Sequence, residues 1–146
     1  MTGSNLNGAK LHICDFSACN AFGIKAEDSD FTGSEFSGAH MDSSQLRGTI
    51  LNFCNFSEAS LQKCDLTRAK LFSATLQNAR LSSSVLNSVT MIGAKVVGAD
   101  LKNVNLDRAN LPMADLSKSD FKGSSMNGVL EQDTIYDGAN LEGIKK

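Results

Sequence analysis

Large apolar residues recur at every fifth position of this chain. Between Phe53 and Leu81 they are Phe56, Leu61, Leu66, Leu71, Leu76 and Leu81, and two places before each stands Cys54, Ala59, Cys64, Ala69, Ala74 or Ala79. A beat of five fits neither the 3.6 of a helix nor the 2 of a flat strand, so the repeat itself is the primary signal. Carried through the chain it gives 28 centres from Leu6 to Leu141, of which 24 are Leu, Phe, Met or Val. The exceptions are Ala21, Ala26, Glu131 and Tyr136. The slot two residues earlier holds Ala, Ser, Cys, Thr or Val at 27 of 29 positions, and all twelve glycines fall two residues after a centre or after Met1. No insertion or deletion breaks the register.

A large and a small side chain two residues apart point to the same face of a short extended segment. Five residues then make one straight side and its corner, where a turn calls for a left-handed residue and glycine suits it. Asp28, Asn78 and Ser83, which stand there without glycine, are turn formers too. If four sides close a coil, twenty residues make one turn and residues n and n+20 stack. Phe16, Phe36 and Phe56 are then predicted to form an aromatic ladder. Coils about 4.8 Å apart give a single all-β domain over 1–146, a parallel β-helix of about seven coils and roughly 35 Å in length.

Two segments strain the rule. In Cys19–Asp30 two successive centres are alanine: either Ile24 fills the space, or a bulge brings Phe22 inside. At Leu130–Asp133 a carboxylate, Glu131, falls on a core slot where burial without a partner is costly. A local break is therefore expected to rotate Glu131 outward and take Leu130 inside, making 130–146 an irregular C-terminal coil or cap.

The triplets Ala69-Lys70-Leu71, Ala99-Asp100-Leu101, Ala109-Asn110-Leu111, Ala114-Asp115-Leu116 and Ala139-Asn140-Leu141 resemble the A-(D/N)-L-x-x consensus of the pentapeptide-repeat family. The resemblance covers nearly the whole chain. It implies a right-handed, four-sided β-helix with one pentapeptide per side, and it implies little about function.

Composition narrows the rest. A formal net charge of −2 and a pI near 5.6 leave no basic footprint for nucleic acid or anionic lipid. No apolar run reaches the length of a membrane span, and the start has no signal-peptide pattern, so a cytoplasmic location is expected. Cys14, Cys19, Cys54 and Cys64 form no CxxC pair and share the small slot with Ala, Ser and Thr, which reads as a demand for small volume rather than for metal or disulfide chemistry. His12 and His40 lie in outward slots on different sides. No nucleophile, metal or nucleotide fingerprint is present, so neither catalysis nor a cofactor is expected.

Function must then lie on the outer faces. Two sides carry balanced charge. The side of Phe16, Phe36 and Phe56 is mildly acidic, with Asp15, Glu35, Glu58, Asp115 and Asp137 against Lys95 and Lys118. The side of Leu11, Phe31, Leu51, Leu71, Met91 and Leu111 is unlike the others: its outward slots hold Ile13, Ile50, Phe53, Phe72, Ile92 and Met113. Contiguous exposed apolar residues mark interaction sites. The sequence thus predicts a non-enzymatic scaffold that binds an unidentified protein partner on this face. Uncovered coil ends also favour a homodimer. The alternative is a DNA-mimicking inhibitor of DNA gyrase or topoisomerase IV that protects against quinolones. Ala21-Phe22-Gly23-Ile24-Lys25-Ala26, with Asp30-Phe31 and Gly38-Ala39, resembles a stretch of the family's quinolone-resistance members. Against it, duplex DNA carries about one charge per 1.7 Å, and only one side here is acidic.

Overall fold

The computed structural model describes residues 1–146, and the five-residue rule holds along all of them. Parallel bridges join n to n+20 without interruption, from Asn5–Lys25 to Ser125–Lys145. The chain is a right-handed, four-sided parallel β-helix with no α-helix. Each side is three residues long: the small slot, the outward bridging residue and the large centre. Most corners are closed by a bond from the next small slot back to the centre, as Ala9 N–H donates to Leu6 O at 3.0 Å.

The corner explains the glycines. Every residue two places after a centre has a positive φ, twelve of them glycine and seventeen not, while the residue before it does not, the pattern of a type II turn. Side chains at these corners lean toward the next coil. The Oδ1 of Asn78 lies 2.6 Å from where a Cβ of Gly98 would stand, so a side chain there would displace the Asn78 amide as well as strain φ.

Coils are sewn together by their backbones. The N–H of a centre donates forward, as Leu46 does to Asp65 O at 2.7 Å, and that of a bridging residue donates back, as Lys70 does to Thr49 O at 2.9 Å. The N–H just after a centre has no place in this ladder. At many positions an Asp or Asn oxygen accepts from it, either from two residues earlier (Thr67 N–H donates to Asp65 Oδ1, 2.9 Å) or from the preceding coil (Phe72 N–H donates to Asn52 Oδ1, 3.0 Å). This is the physical content of the Asp/Asn preference in the consensus triplet.

The interior is dry and continuous: 36 residues form one apolar cluster, and each Leu centre from Leu46 to Leu111 is all but fully buried. Burying such a side chain contributes about 1.5–3 kcal/mol. Phe16, Phe36 and Phe56 stack as expected, with centroids 5.0 and 4.8 Å apart and ring planes within 14° and 5°. The small slot does more than save volume. Buried Ser84 donates to Leu61 O in the previous coil and accepts from Cys64 N–H, inserting its hydroxyl into that coil's turn. Ser119 and Ser124 repeat this relay. The Cys54 and Cys64 thiols donate in the same manner, to Phe31 O at 3.0 Å and Met41 O at 3.1 Å. No buried side-chain polar atom is left without a partner.

The two strained segments resolve differently. Around the alanine centres the coil stays regular: Ile24 is buried in the small slot, and Phe22 is half exposed on the surface. At Glu131 the expected break does not occur. The Asn110–Leu130 and Asp115–Ile135 bridges keep phase, Leu130 points out, and Thr134 N–H closes the turn onto Glu131 O. Residues 130–146 are regular coil through Lys145 rather than an irregular cap. Glu131 stays in its core column because it is only half buried there and finds partners: Lys146 Nζ at 2.8 Å and the Tyr136 hydroxyl at 2.9 Å. These contacts hold its carboxyl below the ordinary value.

Candidate functional site

The structure places all six apolar residues of the Leu11 side outward, and brings four of them together. Ile50, Phe53, Phe72 and Ile92 occupy three successive coils. The Phe53 and Phe72 rings meet edge to face at 5.4 Å, and the Phe72 backbone is pinned by Asn52. Phe53 is 58% exposed and Phe72 41%, whereas Ile50 and Ile92 are half buried beside them. Met113 (61% exposed) extends the patch past Pro112 toward the C-terminal end. Ile13, 85% exposed, stands apart at the N-terminal end, its Cγ1 3.6 Å from the position of a Cβ on Gly33. Leu130 is a further exposed apolar residue on this side.

Ile13, Phe53 and Met113 are corner residues with φ of 54°, 61° and 59°. The left-handed region costs a non-glycine residue about 1–2 kcal/mol and is a genuine outlier for β-branched isoleucine. The corner itself asks for glycine or asparagine, so neither local folding nor burial accounts for large apolar side chains at these positions.

The acidic residues of the Phe16 side are less free than their charge suggests. Asp15 and Asp115 accept from the N–H and hydroxyl of Ser17 and Ser117, which holds both carboxyls below their ordinary values. Asp15 stacks directly on Glu35, and Asp115 on Lys95. Glu58 and Asp137 stand exposed at corner and turn positions. The side therefore offers interrupted carboxylates rather than a continuous anionic rail.

One depression, of about 470 Å³, breaks the surface. Glu27 and Asp28 line one part of it; Arg47, Arg68 and Lys70 line another, with Gly48 and Thr67 among the lining residues. Arg47 lies 3.6 Å from Asp65, while Glu27, Asp28, Arg68 and Lys70 make no ion pair. The hollow adjoins the apolar face, because Lys70 bridges Ile50 and precedes Phe72 by two residues. Balancing charge side by side hides this hollow; following the charges coil by coil would reveal it, since the carboxylates fall in residues 21–40 and the cations in 41–80. No group of His, Cys, Asp and Glu is placed to hold a metal ion.

A rod filled to its axis, with its variation confined to flat outer sides, is a solenoid that presents surfaces. The chain belongs to the pentapeptide repeat family: the family model, Pentapeptide repeats, matches in eight copies over residues 14–52, 50–87 and 84–123. Among solved structures it is similar to a pentapeptide repeat protein of the Arabidopsis thaliana thylakoid lumen (26% identity, TM-score 0.55). That alignment covers 67% of this chain and 65% of the other, so the chain spans about two thirds of that protein's length. It is also similar to QnrB1, a plasmid-mediated fluoroquinolone resistance protein (17% identity, TM-score 0.55, 99% of this chain and 83% of the other), a likeness that shows the fold alone. Comparison with curated proteins finds no match.

Proposed function

We propose that this protein is a non-catalytic interaction rod that docks a partner protein on its Leu11 side, with Ile50, Phe53, Phe72 and Ile92 at the centre and Ile13 and Met113 at the margins. The observation that carries this reading is the left-handed backbone of Phe53, Ile13 and Met113. Of the seventeen non-glycine corner residues these three are the large apolar ones, and all three lie on one face; exposed side chains kept at a conformational cost are a mark of function. Aromatic anchors on a rigid scaffold also suit binding, because little side-chain or backbone freedom is lost on docking. A DNA-mimicking role finds less support, since Asp15 and Asp115 are turned onto their neighbouring serines.

The test is affinity capture from cells that make the protein, using the wild type beside a Phe53→Asp/Phe72→Asp variant. Both sites are exposed, so the variant keeps the wild-type circular dichroism. A protein retained by the wild type and lost by the variant supports the reading; equal retention by both refutes it.

A further inference from the structure

We infer that the hollow beside the apolar face is a subsite for an oppositely charged pair of side chains on the docked partner, one basic and one acidic, next to an apolar residue. The inference rests on the reading that the Leu11 side docks a protein. Its basis is a separation of charge that the molecule leaves open. Glu27 and Asp28 stand on one wall, Arg68 and Lys70 on the other, and none of the four reaches an opposite charge within 4.0 Å. The acidic and basic walls lie two coils apart, Asp28, Gly48 and Arg68 being in register. At about 4.8 Å per coil they are separated along the rod by roughly 10 Å, a distance that two neighbouring side chains span.

Gly48 shapes the floor. The Oδ1 of Asp28 lies so close to this residue that a Cβ there would push the carboxylate aside. The volume of about 470 Å³ falls within the range of sites that take small groups. A lone multivalent anion drawn by the arginines meets the two carboxylates in the same hollow, which disfavours phosphate and nucleic acid. A dipole satisfies both walls. Continuity fixes the third element, because Lys70 is stacked beside Ile50 and a side chain following the charged pair falls on the apolar face.

Two tripeptide probes, acetyl-Leu-Glu-Lys-amide and acetyl-Leu-Lys-Glu-amide, test this by titration into the ¹⁵N-labelled protein, with inorganic phosphate and single-charge versions (Gln for Glu, or Gln for Lys) as controls. The Gly48 amide and the Arg47 and Arg68 side-chain Nε–H signals report the hollow; the Phe53 and Phe72 amides report the face. One charged-pair peptide shifts both sets saturably. Loss of either charge, or Arg68→Gly, weakens binding about fivefold, the effect of losing one exposed ion pair. The Arg68→Gly variant is benign to the fold because residue 68 has a φ of 62°, which glycine adopts without strain. Equal shifts from phosphate or from the single-charge peptides overturn the subsite, as does no shift at the hollow. Shifts at the hollow alone uphold the subsite and count against the apolar face. Shifts at Phe53 and Phe72 alone overturn the subsite and leave the face standing.

Discussion

Replacing Ile13 by asparagine is expected to stabilise the protein. Ile13 holds a φ of 54°, and for a β-branched residue the left-handed region costs about 1–2 kcal/mol, most of which asparagine avoids. What the substitution loses is small. Ile13 is 85% exposed, and full burial of isoleucine is worth about 1.5–3 kcal/mol, so the remaining contact over Gly33 amounts to roughly 0.4 kcal/mol. The balance favours Ile13→Asn by about 1 kcal/mol, which for a chain of this size raises the melting midpoint by about 3 °C. Phe53→Asn gains the same relief and loses more. Phe53 is 58% exposed and packs edge to face on Phe72, which together are worth about 1.5–2.5 kcal/mol. It should be neutral or destabilised by up to about 1 kcal/mol. Thermal and urea unfolding of the two variants beside the wild type decide the matter. A lower midpoint for Ile13→Asn would show that Ile13 supports the fold, and the case that it is kept for binding would fail.

Three further outcomes follow from the geometry. Burial pushes the Cys54 and Cys64 thiols up to about 11 and about 12, so at pH 8 a thiol reagent labels half-buried Cys14 and Cys19 in the native protein and reaches all four only in denaturant; rapid labelling of all four without denaturant contradicts the packing. Gly98→Ala is destabilising by more than Gly38→Ala, which incurs only the φ penalty of about 1 kcal/mol; removing the Asn78 side chain by Asn78→Gly erases the excess, and an excess that persists rules out the Asn78 contact as its cause. Lys146 and Tyr136 depress the carboxyl of Glu131, so its contribution to stability is present above the unfolded value near 4.5 and is lost as pH falls through the lower folded value. Glu131→Gln therefore flattens the acid limb of stability against pH below about 4.5, and an unchanged limb denies the ion pair any energetic role.

The architecture is readable in the chain because each of its rules is local. A centre, a small slot and a corner each select side chains by volume or by φ, and the rules repeat without a gap from one end to the other. Ile24 and Phe22 could be narrowed only to two arrangements, since both a filled slot and a bulge satisfy the same volume. Glu131 departs from the expected break because the cost of a fully buried, unpaired carboxylate does not arise at this position. In the last coil the side chain is half exposed, and Lys146 reaches it from fifteen residues away. The hydroxyl relay of Ser84, Ser119 and Ser124 is not legible in the sequence, because a small slot signals volume and not a hydrogen bond into the turn of the coil before. The hollow depends on which charges neighbour one another between coils, which a sum over each side erases.

The unbroken pairing of n with n+20 also makes the rod behave as a dial. Removing twenty residues shortens it by one coil and leaves every face aligned. Removing five residues between Phe72 and Ile92 spares the core, because each centre still falls on a centre. It nevertheless turns everything downstream by a quarter revolution. Ile92 and Met113 then look along a different side from Phe53 and Phe72, and Thr90 no longer follows Lys70 in its column. In this fold the recognition surface can be cut apart by a rotation while the interior keeps its pattern.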